Sequence, residues 1–130
     1  MRVFIIDDSA IVRERLIAML TEVEGVEIVG HAEDAFSAIE GVRELIPDVV
    51  ILDIQMPGGA SGIYALERIR CERPAPTIIM LTNYSYPQYR KKCIDGGAAF
   101  FFDKSTEFER VPEVLKALIH DSHHRLLNCE

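Results

Sequence analysis

Val49-Val50-Ile51-Leu52-Asp53-Ile54-Gln55-Met56-Pro57 is the stretch on which the fold turns. Four apolar residues, rich in β-branched side chains, end on a carboxylate. An unbroken apolar run of this length suits a strand covered on both faces, as in a parallel sheet. Outward from it, comparable runs occupy residues 3–6, 26–29 (interrupted by Glu27), 77–81 and 98–102. The spacing predicts a five-stranded sheet.

The segments between these runs have helical period. Ser9 can cap a helix carrying Ile11, Val12, Leu16, Met19 and Leu20, and Asp34 one carrying Ala38, Ile39, Val42 and Ile46 that ends before Pro47. Ile63, Leu66 and Ile69 outline a third. Pro87 is placed to begin a fourth, stopped at Gly96-Gly97, and a fifth starts near Pro112 with Val114, Leu115, Leu118 and Ile119. Five βα units with short connections predict an open α/β sheet, helices on both faces, joined by right-handed crossovers.

In such a sheet, ligands bind beyond the carboxyl ends of the strands, where strand order reverses. Asp7 and Asp8 follow the first run, Asp53 the third, Thr82 the fourth, and Lys104 lies just past the fifth. With strand order 2-1-3-4-5, the three carboxylates converge at the switch point, flanked by a hydroxyl and an ammonium. Crowded carboxylates repel one another and call for a cation. A hard divalent ion with oxygen ligands answers this: Mg²⁺, with Mn²⁺ as an alternative. The set suits in-line attack by a carboxylate on phosphorus, with metal and lysine offsetting the charge. Asp53 stands alone at its strand end, while Asp7 and Asp8 form a natural metal-binding pair.

Taken singly, each residue has a plainer reading: a turn aspartate, a strand-end threonine, a surface lysine. Together, and in order, Asp7-Asp8-Ser9, Leu52-Asp53-Ile54-Gln55-Met56-Pro57, Leu81-Thr82 and Phe102-Asp103-Lys104 resemble the signature set of response-regulator receiver domains of two-component signalling. The resemblance implies a doubly wound, flavodoxin-like fold over residues 1–122, with 123–130 as a C-terminal tail. It implies Asp53 as phosphoacceptor, with Asp8 and Asp53 ligating the metal directly. The backbone carbonyl of Gln55 would add a ligand, and Asp7 would act mostly through metal-bound water. Thr82 and Lys104 would bind phosphoryl oxygens, and Thr82 with Phe101 would form the switch. Two departures stand out: the loop from Pro57 to Gly62 is one residue longer than the commoner form, and the reporter position is Phe101 rather than tyrosine.

The function implied is a signalling domain, not an enzyme, that takes a phosphoryl group from a sensor histidine kinase or phosphotransfer protein and then binds a downstream protein, with a homodimer compatible. A relay intermediate or a fragment of a longer DNA-binding regulator is the alternative. An aspartate-dependent phosphatase of the haloacid dehalogenase type fits less well, because it needs a nucleophile and general acid two residues apart, whereas Asp7 and Asp8 are adjacent.

Composition agrees with these expectations. Hydrophobic residues make up 48% and charged residues 27% of the 130, as in a globular domain. A net charge of −7 without a dense Lys/Arg cluster argues against direct nucleic-acid binding. No apolar run approaches the ~20 residues of a membrane span. The N-terminus lacks a secretory pattern, and Cys71, Cys93 and Cys129 lack metal spacing, so a cytoplasmic setting is expected. His120, His123 and His124 read as a polar helix end, Lys91-Lys92 as a solvated face, and Tyr84, Tyr86 and Tyr89 as surface aromatics.

Overall fold

A computed structural model describes the backbone of residues 1–128 and the side chains of residues 1–122, so the readings placed on His123, His124 and Cys129 lie outside the described residues. Five strands, β1 (Arg2–Ile6), β2 (Glu27–Ala32), β3 (Val49–Leu52), β4 (Thr77–Thr82) and β5 (Phe100–Asp103), alternate with five helices. These are α1 (Ala10–Leu20), α2 (Ala35–Leu45), α3 (Gly62–Ile69), α4 (Pro87–Asp95) and α5 (Arg110–Asn128). The sheet is parallel throughout in the order β2-β1-β3-β4-β5, as expected.

Strand alternation divides the core in two. Phe4, Ile6, Val50, Leu52, Ile78, Met80 and Phe101 point toward α2, α3 and α4. Val3, Ile5, Val49, Ile51, Ile79, Leu81 and Phe102 point toward Leu16 and Leu20 of α1 and Val111 and Leu115 of α5. This two-sided burial explains why β3 reads as a continuous apolar run.

The helix caps follow the sequence. Ser9 accepts from Val12 N–H and Asp34 from Ser37 N–H. Ser61, which the apolar spacing does not reveal, caps α3 by accepting from Tyr64 N–H. Pro87 begins α4, and Pro112 sits in the first turn of α5, where a missing N–H costs little.

Four details depart from expectation. Ile11 is 78% exposed, because partly buried Val12 and buried Leu16 and Leu20 repeat every four residues and form the core-facing stripe without it. Ile46 is not on the face of α2; it ends the helix in the left-handed region ahead of Pro47 and is exposed. β2 runs on to Ala32, since Gly30 lets the strand pass Phe4, where an added Cβ would lie 3.2 Å from the ring. β5 starts at Phe100 rather than Ala98, because Ala98 N–H still bonds the Cys93 carbonyl at the end of α4.

Candidate functional site

The carboxyl ends of β1 and β3 are neighbours in the sheet, which places the residues following them side by side. Asp7 N–H donates to the Ala32 carbonyl and Asp53 N–H to the Ile6 carbonyl, so the ladder carries the chain into the site on both strands. Oxygens of Asp7, Asp8 and Asp53 all lie within 4.8 Å of one another. Asp7 and Asp53 are buried, and Asp8 is exposed at the rim.

Lys104 arrives from β5. Its N–H donates to the Thr82 carbonyl at 2.9 Å, which joins the ends of β4 and β5. Its ammonium lies 2.7 Å from Asp7 Oδ2 and 2.8 Å from Asp53 Oδ2. Burial pushes the Asp7 carboxyl up, more than the hydrogen bonds from Lys104 and Ser9 pull it down. For Lys104, burial favours the neutral amine, but the bonds to Asp53 and Asp7 outweigh it and hold the ammonium above its ordinary value. The ammonium pairs with two of the three clustered carboxylates, so the cluster retains an excess of negative charge. Closely set, anionic oxygen donors of this kind fit a hard divalent cation.

The loops around the cluster are held tightly. Ser9 N–H donates to Asp7 Oδ1 at 2.9 Å and Gln55 N–H to Asp53 Oδ1 at 3.4 Å. Thr82 Oγ1, buried, accepts from Tyr84 N–H at 3.1 Å. Every residue expected in the pocket is therefore at or beside it. Phe101 stands apart: it is 3% exposed, pairs with Met80, and lies on the same sheet face as Thr82, diagonally across the β4–β5 ladder. The Arg90 guanidinium lies over its ring, 5.0 Å from the centroid.

Sequence reading missed three contributors. Arg13, with its side chain 11% exposed, donates to the Asp7 carbonyl at 2.8 Å and pairs with Glu33, pinning the turn that carries Asp7 and Asp8. Gly62 closes the long loop after β3: its N–H donates to the Ile54 carbonyl, and an added Cβ would fall 1.8 Å from the Asp53 carbonyl oxygen. Asp103 is bound by Ser85 and Ser105. A glycine at the foot of a glycine-rich loop is a signal that could have singled out Gly62; Arg13 carries none, and Asp103 stood in the sequence only as part of the Phe102-Asp103-Lys104 motif, with nothing to reveal its serine partners.

Comparison with known proteins gives a consistent picture. The family model described as response regulator receiver domain matches residues 3–116. A protein-glutamate methylesterase/protein-glutamine glutaminase 2 of Xanthomonas campestris is 44% identical over 78 residues, 60% of this chain, and the chain spans only 22% of that protein's length. The crystal structure of the response regulator domain of Thermotoga maritima CheB is 31% identical with a TM-score of 0.80, covering 93% of this chain and 94% of that one. The isolated REC domain of RcsB from Salmonella enterica serovar Typhimurium, determined with phosphomimetic BeF3−, is 30% identical with a TM-score of 0.84, covering 92% and 88%.

Proposed function

Because this chain belongs to the response-regulator receiver family, we propose that Asp53 accepts a phosphoryl group in a divalent-metal-dependent reaction and that the phosphorylated domain changes its surface for a protein target. The observation that carries this reading is the placement of Asp53: a buried carboxylate, within 4.8 Å of two others and 2.8 Å from an ammonium.

Asp7, Asp8, Asp53 and the Gln55 carbonyl would hold Mg²⁺, whose chemistry when bound is to neutralise charge on the entering phosphoryl oxygens. An Asp53 oxygen attacks phosphorus in line as the bond to the donor's imidazole nitrogen breaks, leaving an acyl phosphate on Asp53 and the histidine free. Lys104 exchanges a carboxylate oxygen for a phosphoryl oxygen as its partner. Thr82 turns its hydroxyl to donate to another, which frees Tyr84 N–H. Space vacated by Thr82 is then open to Phe101 on the neighbouring strand. A ligand that bonds only one of two packings shifts the population toward it. Sensor kinases or phosphotransfer proteins supply the phosphoryl group in this scheme, and no direct nucleic-acid contact by this domain is invoked. Among the described residues, no helix is long and apolar enough to cross a membrane, and we place the domain in the cytoplasm.

The test is intact mass after incubation with Mg²⁺ and acetyl phosphate. Wild-type protein should gain one phosphoryl group, and Asp53→Asn none. A full-strength label on Asp53→Asn would move the acceptor elsewhere, with Asp8 the first suspect.

A further inference from the structure

We propose that the hydrogen bond between Ser85 and Asp103 is a latch that positions the β4–α4 loop, and through it Thr82, in the unphosphorylated packing. The inference rests on the receiver reading above and concerns residues outside the acidic cluster.

Two features make Asp103 a fixed point. It lies in register with Thr82 at the end of the β4–β5 ladder, so the sheet holds its backbone. Its Oδ1 accepts from both the N–H and the hydroxyl of Ser105, at 2.8 and 2.5 Å, which fixes the carboxylate's orientation. The remaining oxygen, Oδ2, accepts from the Ser85 hydroxyl at 2.6 Å. Charge-assisted bonds of this length are the strong ones.

Ser85 belongs to the connection between β4 and α4, and it follows directly on Tyr84, whose N–H donates to Thr82 Oγ1 at 3.1 Å. Two successive residues of one short loop are thus tied down, one to the hydroxyl of Thr82 and the other to the neighbouring strand end. When Thr82 turns to a phosphoryl oxygen, Tyr84 N–H loses its acceptor and must find another. The backbone around it moves, and Ser85 is carried away from an Asp103 that stays behind. The Ser85–Asp103 bond exists in one packing and not in the other, and an interaction of that kind biases the equilibrium between them. Asp103 is a positioning residue in this scheme: it touches neither the metal ligands nor the phosphoryl group, and it acts on Thr82 through Ser85 and the loop.

Removing the hydroxyl should therefore favour the activated packing and tighten binding of any ligand selective for it. Ser85 is only partly buried, and Ser85→Ala leaves the acidic cluster intact. With beryllofluoride as phosphoryl mimic at saturating Mg²⁺, Ser85→Ala should bind about fivefold more tightly than wild type, while Mg²⁺ affinity measured alone is unchanged. Amide shifts over residues 82–104 of the free variant should be displaced toward their positions in the beryllofluoride complex. Ser85→Thr, which keeps the hydroxyl, should behave as wild type. Unchanged or weaker beryllofluoride binding by Ser85→Ala, beside a wild type that binds normally, overturns the latch and leaves the receiver reading standing. A wild-type protein that binds no beryllofluoride overturns the receiver reading and the latch with it.

Discussion

The Lys104 ammonium lies 2.8 Å from Asp53 Oδ2, across 51 positions of sequence, and bonds Asp7 from the same place. The cation that serves the phosphoryl group in our mechanism thus already compensates two buried carboxylates before any phosphoryl group arrives. The ion pairing of Lys104 is thus separable from the chemical role proposed for it.

Lys104→Met keeps most of the stem but strips both carboxylates of their cation. Removing one partner of a buried pair costs about 3 kcal/mol, and the Asp7 carboxyl, already raised by burial, rises further. Urea unfolding in a chelator should show a loss of that order, with part of it restored by Mg²⁺, which restores positive charge to the cluster. Equal losses with and without Mg²⁺ would contradict a shared electrostatic role.

Asp8 behaves differently because it is exposed and makes no hydrogen bond in the cluster that would organise the fold. Asp8→Asn should weaken Mg²⁺ binding by more than about tenfold, since even indirect ligand partners are worth about that much. Stability without metal should change by no more than about 0.5 kcal/mol, and relief of repulsion makes a small gain the expected sign. Calorimetric Mg²⁺ titration and thermal unfolding measure the two effects separately.

Gly62→Ala forces a methyl group against the Asp53 carbonyl, a backbone atom that cannot swing aside. Overpacking of this kind costs about 3 kcal/mol, and the displaced backbone is that of Asp53, the proposed phosphoacceptor, so acetyl phosphate labelling should slow as well. Gly59→Ala is the comparison: its φ of +83° carries strain of about 1 kcal/mol, but nothing lies within 4 Å of the new Cβ. Equal destabilisation of the two variants would show that loop strain, not the close approach, controls the site.

Asp103 makes a prediction in pH. Hydrogen bonds from Ser105 and Ser85 lower its carboxyl from 3.8 to about 2. A carboxyl with a depressed folded-state value stabilises the fold above its unfolded value, and that stabilisation is lost as pH falls from about 4 toward 2. Asp7, raised by burial, has the opposite sign, because protonation favours its folded state as pH falls. Asp103→Asn should therefore lose stability at neutral pH and decline less steeply than wild type between pH 4 and 2 in urea titrations. Parallel curves for the two proteins would remove Asp103 from the acid response.

Much of this was open to reading along the chain. Strands buried on both faces have to be apolar throughout, so runs such as Val49-Val50-Ile51-Leu52 announce themselves. Parallel order then places whatever follows β1 and β3 at one rim, which made Asp7, Asp8 and Asp53 legible as a cluster. Ser9, Asp34 and Pro87 marked helix starts because capping acts over three or four residues. What the apolar period misjudged was local orientation: Ile11 and Ile46 are apolar yet face outward.

Sequence by itself determined which groups reach the site, because side-chain direction in a strand alternates and a parallel sheet brings its carboxyl ends to one edge. Only the tertiary structure decided what those groups bond. That Lys104 spans Asp7 and Asp53, that Arg13 holds the Asp7 carbonyl, and that Ser85 reaches Asp103 depends on distances between residues far apart in the chain. Hydrogen bonds and ion pairs are set within a few tenths of an ångström by packing of whole elements. No spacing rule along one chain carries that information, and so the acidic cluster was readable while its latches and pins were not.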